Sequence, residues 1–375
     1  MISLVGQLVE HIHAAPERVV IALSGGGSGA LAELLEVPGA SRTLLEAIVP
    51  YSEPALIAWL GGRPDQFCSP QAGRAMAMAA FRRACEYCTA EEESALAGIA
   101  CTAGLATDRP RRGSHRAHVA MQTASRTVTW SVELEKGRRT RREEEQLVCR
   151  LLLNAVAEAC EIQGRLELSL AEGEQVERSS ATAPQSWQDL LLGKVDSVCR
   201  CEGERPAGAI LPGAFNPLHV GHRRMAEIAR EMLGVPVAME ISIFNVDKPP
   251  LDYFEIERRV NQFAAQQPVW LSRAATFEEK SRLFPGATFV VGSDTLRRIA
   301  DPHYHGGDPS AHAAALRRMV GRRCRFLVFG RNMGTGFVRM SDLELPDVLR
   351  AICREVPAAK FREDVSSTQI RKGRP

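Results

Sequence analysis

Two histidines three positions apart, in PGAFNPLHVGH (Pro212–His222), are the residues of this 375-residue chain whose types and spacing point most directly to chemistry. At a helix start, His219 and His222 would place both imidazoles on one face, beside unpaired backbone N–H groups and the positive end of the helix dipole. That combination is a site for an anion. Gly213 lets the backbone approach a phosphate, Pro217 stiffens the approach to His219, and Gly221 removes a side chain where a nucleotide would press on the backbone. An ordinary turn with two surface histidines would account for one histidine but not for the whole string. Near the other end, DVSSTQIR (Asp364–Arg371) has the spacing of a capping box in Ser366 and Gln369. A short helix starting there would offer hydroxyls, N–H groups and Arg371 to a polyphosphate.

These residues need a scaffold, and the surrounding pattern supplies one. AGAIL (Ala207–Leu211) is a short apolar run bounded by turn residues, as a buried parallel strand should be. A helix is expected from Gly221 to Leu233, with Met225, Ile228, Ala229, Met232 and Leu233 on one face and Gly234 ending it. Further strands are expected in VAMEISIF, ATFVV (Ala287–Val291) and RFLVF (Arg325–Phe329), separated by helices. Alternating strands and helices predict a doubly wound parallel sheet whose ligand lies beyond the carboxyl ends of the strands.

On these motifs the C-terminal segment resembles the HxGH nucleotidyltransferases, and most of all the nicotinamide-nucleotide adenylyltransferases. The family's G-x-F-x-P-x-H-x-G-H stands as Gly213, Phe215, Pro217, His219, Gly221 and His222, and its SST-x-I-R as Ser366, Ser367, Thr368, Ile370 and Arg371. VGSD (Val291–Asp294) resembles the segment that reaches the nucleoside, and FGR, ending at Arg331, the strand end after it. The resemblance implies in-line transfer of AMP from ATP to nicotinamide or nicotinate mononucleotide with release of pyrophosphate. His219, His222 and Arg371 would be catalytic. Gly213, Ala214, Phe215, Gly221, Gly292, Asp294, Arg331, Ser367 and Thr368 would bind the nucleotide, with magnesium on the polyphosphate. Lys248, in NVDKPPL, would neutralise the acceptor phosphate. Phe277 and Trp270 are expected in the core rather than stacked on a base. Class I aminoacyl-tRNA synthetases share the first motif, but no KMSKS-like signature is present.

The first segment opens with a strand, VVIAL (Val19–Leu23), a glycine-rich turn, SGGGSGA (Ser24–Ala30), and a helical pattern. It closes with an amphipathic helix from about Arg142 to Cys160. The turn fits G-x-G-x-x-A, but no acidic residue at a second strand end follows to complete a dinucleotide fingerprint. From Ile2 to Cys160 the segment resembles instead the CinA-type nicotinamide-nucleotide amidases. VPGAS (Val37–Ser41), VPYSEPAL (Val49–Leu56) and GIACTAG (Gly98–Gly104) stand where that family has v-p-G-x-S, v-x-Y-S-N-E-A-K and GIAGPxG. The family's serine, tyrosine and lysine carry over to Ser41, Tyr51 and position 56, which is Leu56. A serine without a base is a poor nucleophile, so a degenerate, non-hydrolytic fold is expected unless His115 or His118 substitutes as base.

The whole is therefore expected to be α/β with two domains: residues 1–165 CinA-like, 166–206 a linker with one helix in WQDLLL, and 207–375 a Rossmann-like nucleotidyltransferase. Basic runs at Arg109–Arg116 and Lys136–Arg142 are expected to be solvated loops. With 47 basic and 45 acidic residues, the near-neutral charge implies neither nucleic acid nor an anionic membrane as partner. No apolar run is long enough for a membrane helix and the start does not read as a signal peptide, so a cytoplasmic protein is expected, with self-association left open. Ten irregularly spaced cysteines fit a reducing compartment. Cys85 with Cys88 and Cys199 with Cys201 lack matching second pairs for zinc. Two other readings stay open: CTP or ATP with a phospho-alcohol or phosphopantetheine acceptor, and a nucleotide sensor without turnover.

Overall fold

The computed structural model describes residues 3–89, 95–108, 113–201, 208–305, 307–332, 336–362, 370–371 and 373. It divides into two compact α/β units: residues 1–192 with Asp247–Phe254, and Gly193–Val246 with Glu255–Pro375.

The first unit carries a six-stranded sheet in the order β2-β1-β3-β4-β5-β6. Its strands are β1 (Arg18–Ser24), β2 (Leu44–Ile48), β3 (Leu96–Gly104), β4 (His115–Thr123), β5 (Arg126–Leu134) and β6 (Val176–Thr182). β1 runs parallel to β2 and β3, and the remaining pairs are antiparallel. One face packs on the helices Leu4–Ala14, Gly29–Glu36 and Arg141–Ala159 through Val9, Ile12, Leu34, Leu147, Leu151 and Leu152. The last of these begins one residue before its expected start, where Thr140 and Glu143 form a capping box.

The expected linker is a correction. Residues 176–182 are an edge strand, Leu190 and Leu191 of the helix Gln185–Leu192 are buried, and Leu166, Leu168 and Leu170 pack on the core. The polar composition of Val176–Thr182 hid the strand because only Ala181 is buried. Arg139, expected in a solvated loop, grips Glu174 through bonds of 2.8 and 2.7 Å and donates to Ser169 O at 2.7 Å. Asp247–Phe254 also belongs to this unit. Asp252 pairs with the buried Arg74 at 3.1 Å, and the Tyr253 hydroxyl donates to Ala124 O at 2.5 Å.

The second unit has β7 (Ser197–Cys199), β8 (Ala209–Pro212), β9 (Val237–Ser242), β10 (Val269–Ser272), β11 (Thr288–Gly292), β12 (Arg325–Phe329), the two-stranded hairpin β13 (Arg331–Asn332) with β14 (Phe337–Val338), and β15 (Cys353–Glu355). The main sheet runs β15-β12-β11-β8-β9-β10-β7, parallel except for β7, which pairs antiparallel with β10. Strands β8 to β12 are almost wholly buried, as parallel strands covered on both faces must be. The chain leaves β8 toward β9 and β10, then returns to place β11 on the opposite side of β8. The order therefore reverses between β8 and β11, and the carboxyl ends of these two strands open the crevice where such sheets bind ligands.

Candidate active site

The loop after β8 enters that crevice. From Gly213, whose N–H donates to Glu240 O at 2.9 Å, the chain turns through Phe215 at a φ of 43° and reaches His219, the N-cap of the helix Val220–Leu233. A Cβ on Gly213 would stand 2.8 Å from the Phe215 ring, so any side chain there would force that buried ring to move. Gly234, at a φ of 67°, ends the helix as expected.

The two imidazoles lie one over the other, with centroids 3.8 Å apart and planes inclined by 30°. The His219 N–H donates to His222 Nδ1 at 3.3 Å, so the neutral His222 ring carries its proton on Nε2. His219 is buried, and among the described residues its Nδ1 has no hydrogen-bond partner. Burial, then Arg331, lowers the His219 pKa to about 4. Burial, then His219 and Arg331, lowers that of His222 to about 3. Both rings are therefore neutral near pH 7, and they meet a ligand as hydrogen-bonding groups beside the fixed guanidinium of Arg331.

Arg331 stands just past β12. Its Nε is 3.9 Å from Asp294 Oδ1, and its Nη2 is 3.6 Å from Met225 Sδ on the histidine helix. Asp294 follows Gly292 at the carboxyl end of β11, in the first turn of the helix Ser293–Ile299. Arg371 Nη1 donates to Asn216 O at 2.6 Å, which joins the second motif to the first. The structure thus gathers Gly213, Ala214, Phe215, His219, His222, Asp294, Arg331 and Arg371 around the ends of three adjacent strands. Ser367 and Thr368, like Ser366, lie outside the described residues. Lys248 is exposed in the Asp247–Phe254 segment of the first unit. Phe277 packs on Phe289 and Phe326, and Trp270 on Phe284, in the core as expected.

Sequence reasoning passed over the residues that hold this loop. Glu255, Arg258 and Arg259 sit on the helix Tyr253–Val260, and their pattern reads as an ordinary solvated face. Yet Arg259 Nη1 donates to Ala214 O at 3.2 Å and Arg258 Nη2 to Asn216 Oδ1 at 2.7 Å. Glu255 binds both guanidiniums, at 3.1 and 2.7 Å. Burial pushes its carboxyl up, but the two arginines outweigh burial and hold it below the usual carboxylate range. A second buried group, Lys280 with Glu240 at 2.8 Å, Ser272 and Ser242, closes off polar atoms under β9 and β10.

In the first unit the carried-over positions do not make a comparable site. Ser41 is exposed in the short helix Ala40–Thr43, Tyr51 is 68% exposed, and Leu56 is buried in the helix Glu53–Leu60. The glycine-rich turn is filled by the protein itself. A Cβ on Gly25, at a φ of 89°, would lie 2.0 Å from Ala103 O, and Glu145 accepts from both Ser28 N–H at 2.7 Å and Ser28 Oγ at 2.9 Å. His115 Nδ1 is bound to Glu144 at 2.7 Å, and His118 Nδ1 to Ser131 Oγ at 2.9 Å.

Residues 210–373 match the family described as Cytidylyltransferase-like, so the second unit carries a domain of the nucleotidyltransferase type. No curated protein matches the chain. Solved structures similar to the chain include a competence/damage-inducible protein CihA from Agrobacterium tumefaciens, at 20% identity and a TM-score of 0.34 over 41% of this chain and 94% of that one. A competence-damaged protein (CinA) superfamily protein from Escherichia coli is similar at 17% identity and a TM-score of 0.33, over 41% and 87%. Among the described residues no helix is long and apolar enough to cross a membrane.

Proposed function

We propose that the second unit transfers the adenylyl group of ATP to nicotinamide or nicotinate mononucleotide and releases pyrophosphate. The observation that carries this reading is the stacked, desolvated pair His219 and His222 at a helix N-terminus, in the switch-point crevice, with Arg331 beside it. The acceptor's phosphate oxygen attacks the α-phosphorus in line while the bond to the β-phosphate breaks, so the protein supplies position and charge stabilisation rather than a covalent intermediate. His222 Nε2–H and His219 donate toward the α and β phosphates as charge develops. Arg331 and Arg371 stand for the remaining negative charge, with the hydroxyls of Ser367 and Thr368. Magnesium, which offsets polyphosphate charge when bound, would be held by substrate oxygens.

The choice of acceptor rests on the VGSD and FGR matches and on the CinA-type motifs of the first unit, because both resembled families handle pyridine mononucleotides. The first unit is read as a non-hydrolytic relative of the amidases. Lys248 is the residue proposed to neutralise the acceptor phosphate. Purified protein is to be incubated with ATP or CTP against the pyridine mononucleotides, a phospho-alcohol and phosphopantetheine, and pyrophosphate measured. Release with ATP and a mononucleotide is expected, and release with CTP alone overturns the reading.

A further inference from the structure

We infer that Gln262 is the positioning residue of the transfer site, clamping the loop that carries His219 and His222. Gln262 follows the helix Tyr253–Val260, in the same unit as the loop, and its amide bridges both limbs of the turn. Its Oε1 accepts the Leu218 N–H at 2.8 Å, and its Nε2 donates to Phe215 O at 2.8 Å. Both bonds go to backbone groups of the turn, one of them the carbonyl of Phe215, which is held at a φ of 43° outside any regular ladder. The neighbouring Phe263 adds a wall. The buried Phe215 ring stands edge-on to Phe263, with centroids 5.1 Å apart, and edge-on to His222 at 5.0 Å. Leu218 directly precedes His219, so the Gln262 amide fixes the last peptide before the N-cap and, through Phe215, the ring of His222. Arg258 and Arg259 hold Asn216 and Ala214 from the same stretch.

The inference rests on the transferase reading, and one set of variants separates the two. Gln262→Met keeps the length and loses both hydrogen bonds, while Glu257→Gln changes an exposed residue of the same helix and serves as control. A loop released by even about an ångström should lower kcat roughly 10- to 100-fold while the KM for nucleotide stays within about threefold. The Tm should stay near that of the parent, and the control should match the parent throughout. Independently of turnover, the imidazole NMR signals of His219 and His222 should move in Gln262→Met and stay in place in Glu257→Gln. Unchanged kcat with unchanged imidazole signals overturns the clamp. A fall in kcat that tracks a lowered Tm makes Gln262 merely structural and overturns it too. A parent that releases no pyrophosphate with any pair sinks the transferase reading, and the imidazole signals alone then decide the clamp.

Discussion

Each unit places a glycine-containing loop between its first parallel strand and a helix, yet what meets the helix start differs. In the second unit the start of Val220–Leu233 is flanked by His219, His222 and Arg331, which suit an anion. In the first unit the start of Gly29–Glu36 meets Glu145, whose carboxylate already takes the Ser28 N–H. A phosphate brought there would face a like charge and a donor already used. The same strand–loop–helix arrangement thus presents imidazoles and a guanidinium at one helix start and a self-packed carboxylate at the other, and the difference lies in a few side chains, some of them supplied by distant elements.

The largest expected effect tests the second unit's side of that contrast. His222→Ala or His219→Ala should lower the rate of pyrophosphate release by roughly 10²–10³-fold, as the loss of one preorganised donor does, while nucleotide affinity falls far less. Isothermal titration beside the rate assay separates the two. Equal losses in binding and rate, or no rate to lose, would favour a sensor.

The first unit should respond in stability instead of rate. Leu56 is buried, so Leu56→Ala should cost about 2–5 kcal/mol in denaturant unfolding. Leu56→Lys should cost more, because an ammonium would have to leave water. Neither the parent nor Leu56→Lys should release ammonia from nicotinamide mononucleotide, since restoring the family's lysine would return it to a core position. Ammonia release abolished by Ser41→Ala would overturn this. Its loss on substituting His115 or His118 would identify the replacing base.

These contrasts were unevenly legible in the sequence. The strand RFLVF was bounded correctly from Arg325 to Phe329 because a parallel strand buried on both faces has a continuous apolar run. The histidine loop was legible because its glycines, proline and histidines each have a local reason. Its clamp was not, because Gln262 acts on the Leu218 backbone N–H and Arg258 on the Asn216 side chain, 44 and 42 positions away, and a polar residue on or after an amphipathic helix carries no local signature of that. Edge strand β6 failed for the opposite reason: exposed on nearly every residue, it reads as loop. The pairing of Glu145 with Ser28 spans 117 positions, so the blocked helix start could only be seen once the fold was known.

A smaller effect sharpens the electrostatic side of the comparison. Arg331 is among the groups that depress both site histidines, so Arg331→Met should let their pKa values rise toward the ordinary 6.5 without reaching it, because burial remains the larger cause. NMR titration of the imidazole signals reads this directly. Values that stay put would place the depression entirely in burial, and values that fall further would mean that Arg331 is not the cation that faces the rings.

The smallest effect concerns the first unit's own depressed histidine. Burial, then Arg116, lowers the His118 pKa to about 4, against 6.5 in the unfolded chain. The native state therefore binds fewer protons than the unfolded state between those limits. His118 contributes no penalty above about pH 6.5, and its contribution to stability is lost progressively as pH falls toward 4. His222 in the second unit follows the same sign down to about 3, but its environment should change when a polyphosphate arrives. Nucleotide should therefore reduce the acid sensitivity of the second unit and leave that of the first unchanged. His118→Gln removes the titration and keeps a group able to bond Ser131 Oγ, so its Tm should approach or exceed that of the parent at pH 5 relative to pH 7, by about a few degrees. An equal Tm difference at the two pH values would mean that His118 is not the group responsible. If nucleotide shifted that difference, His118 would sense the ligand, and the division between a self-packed unit and a ligand-binding one would have to be redrawn.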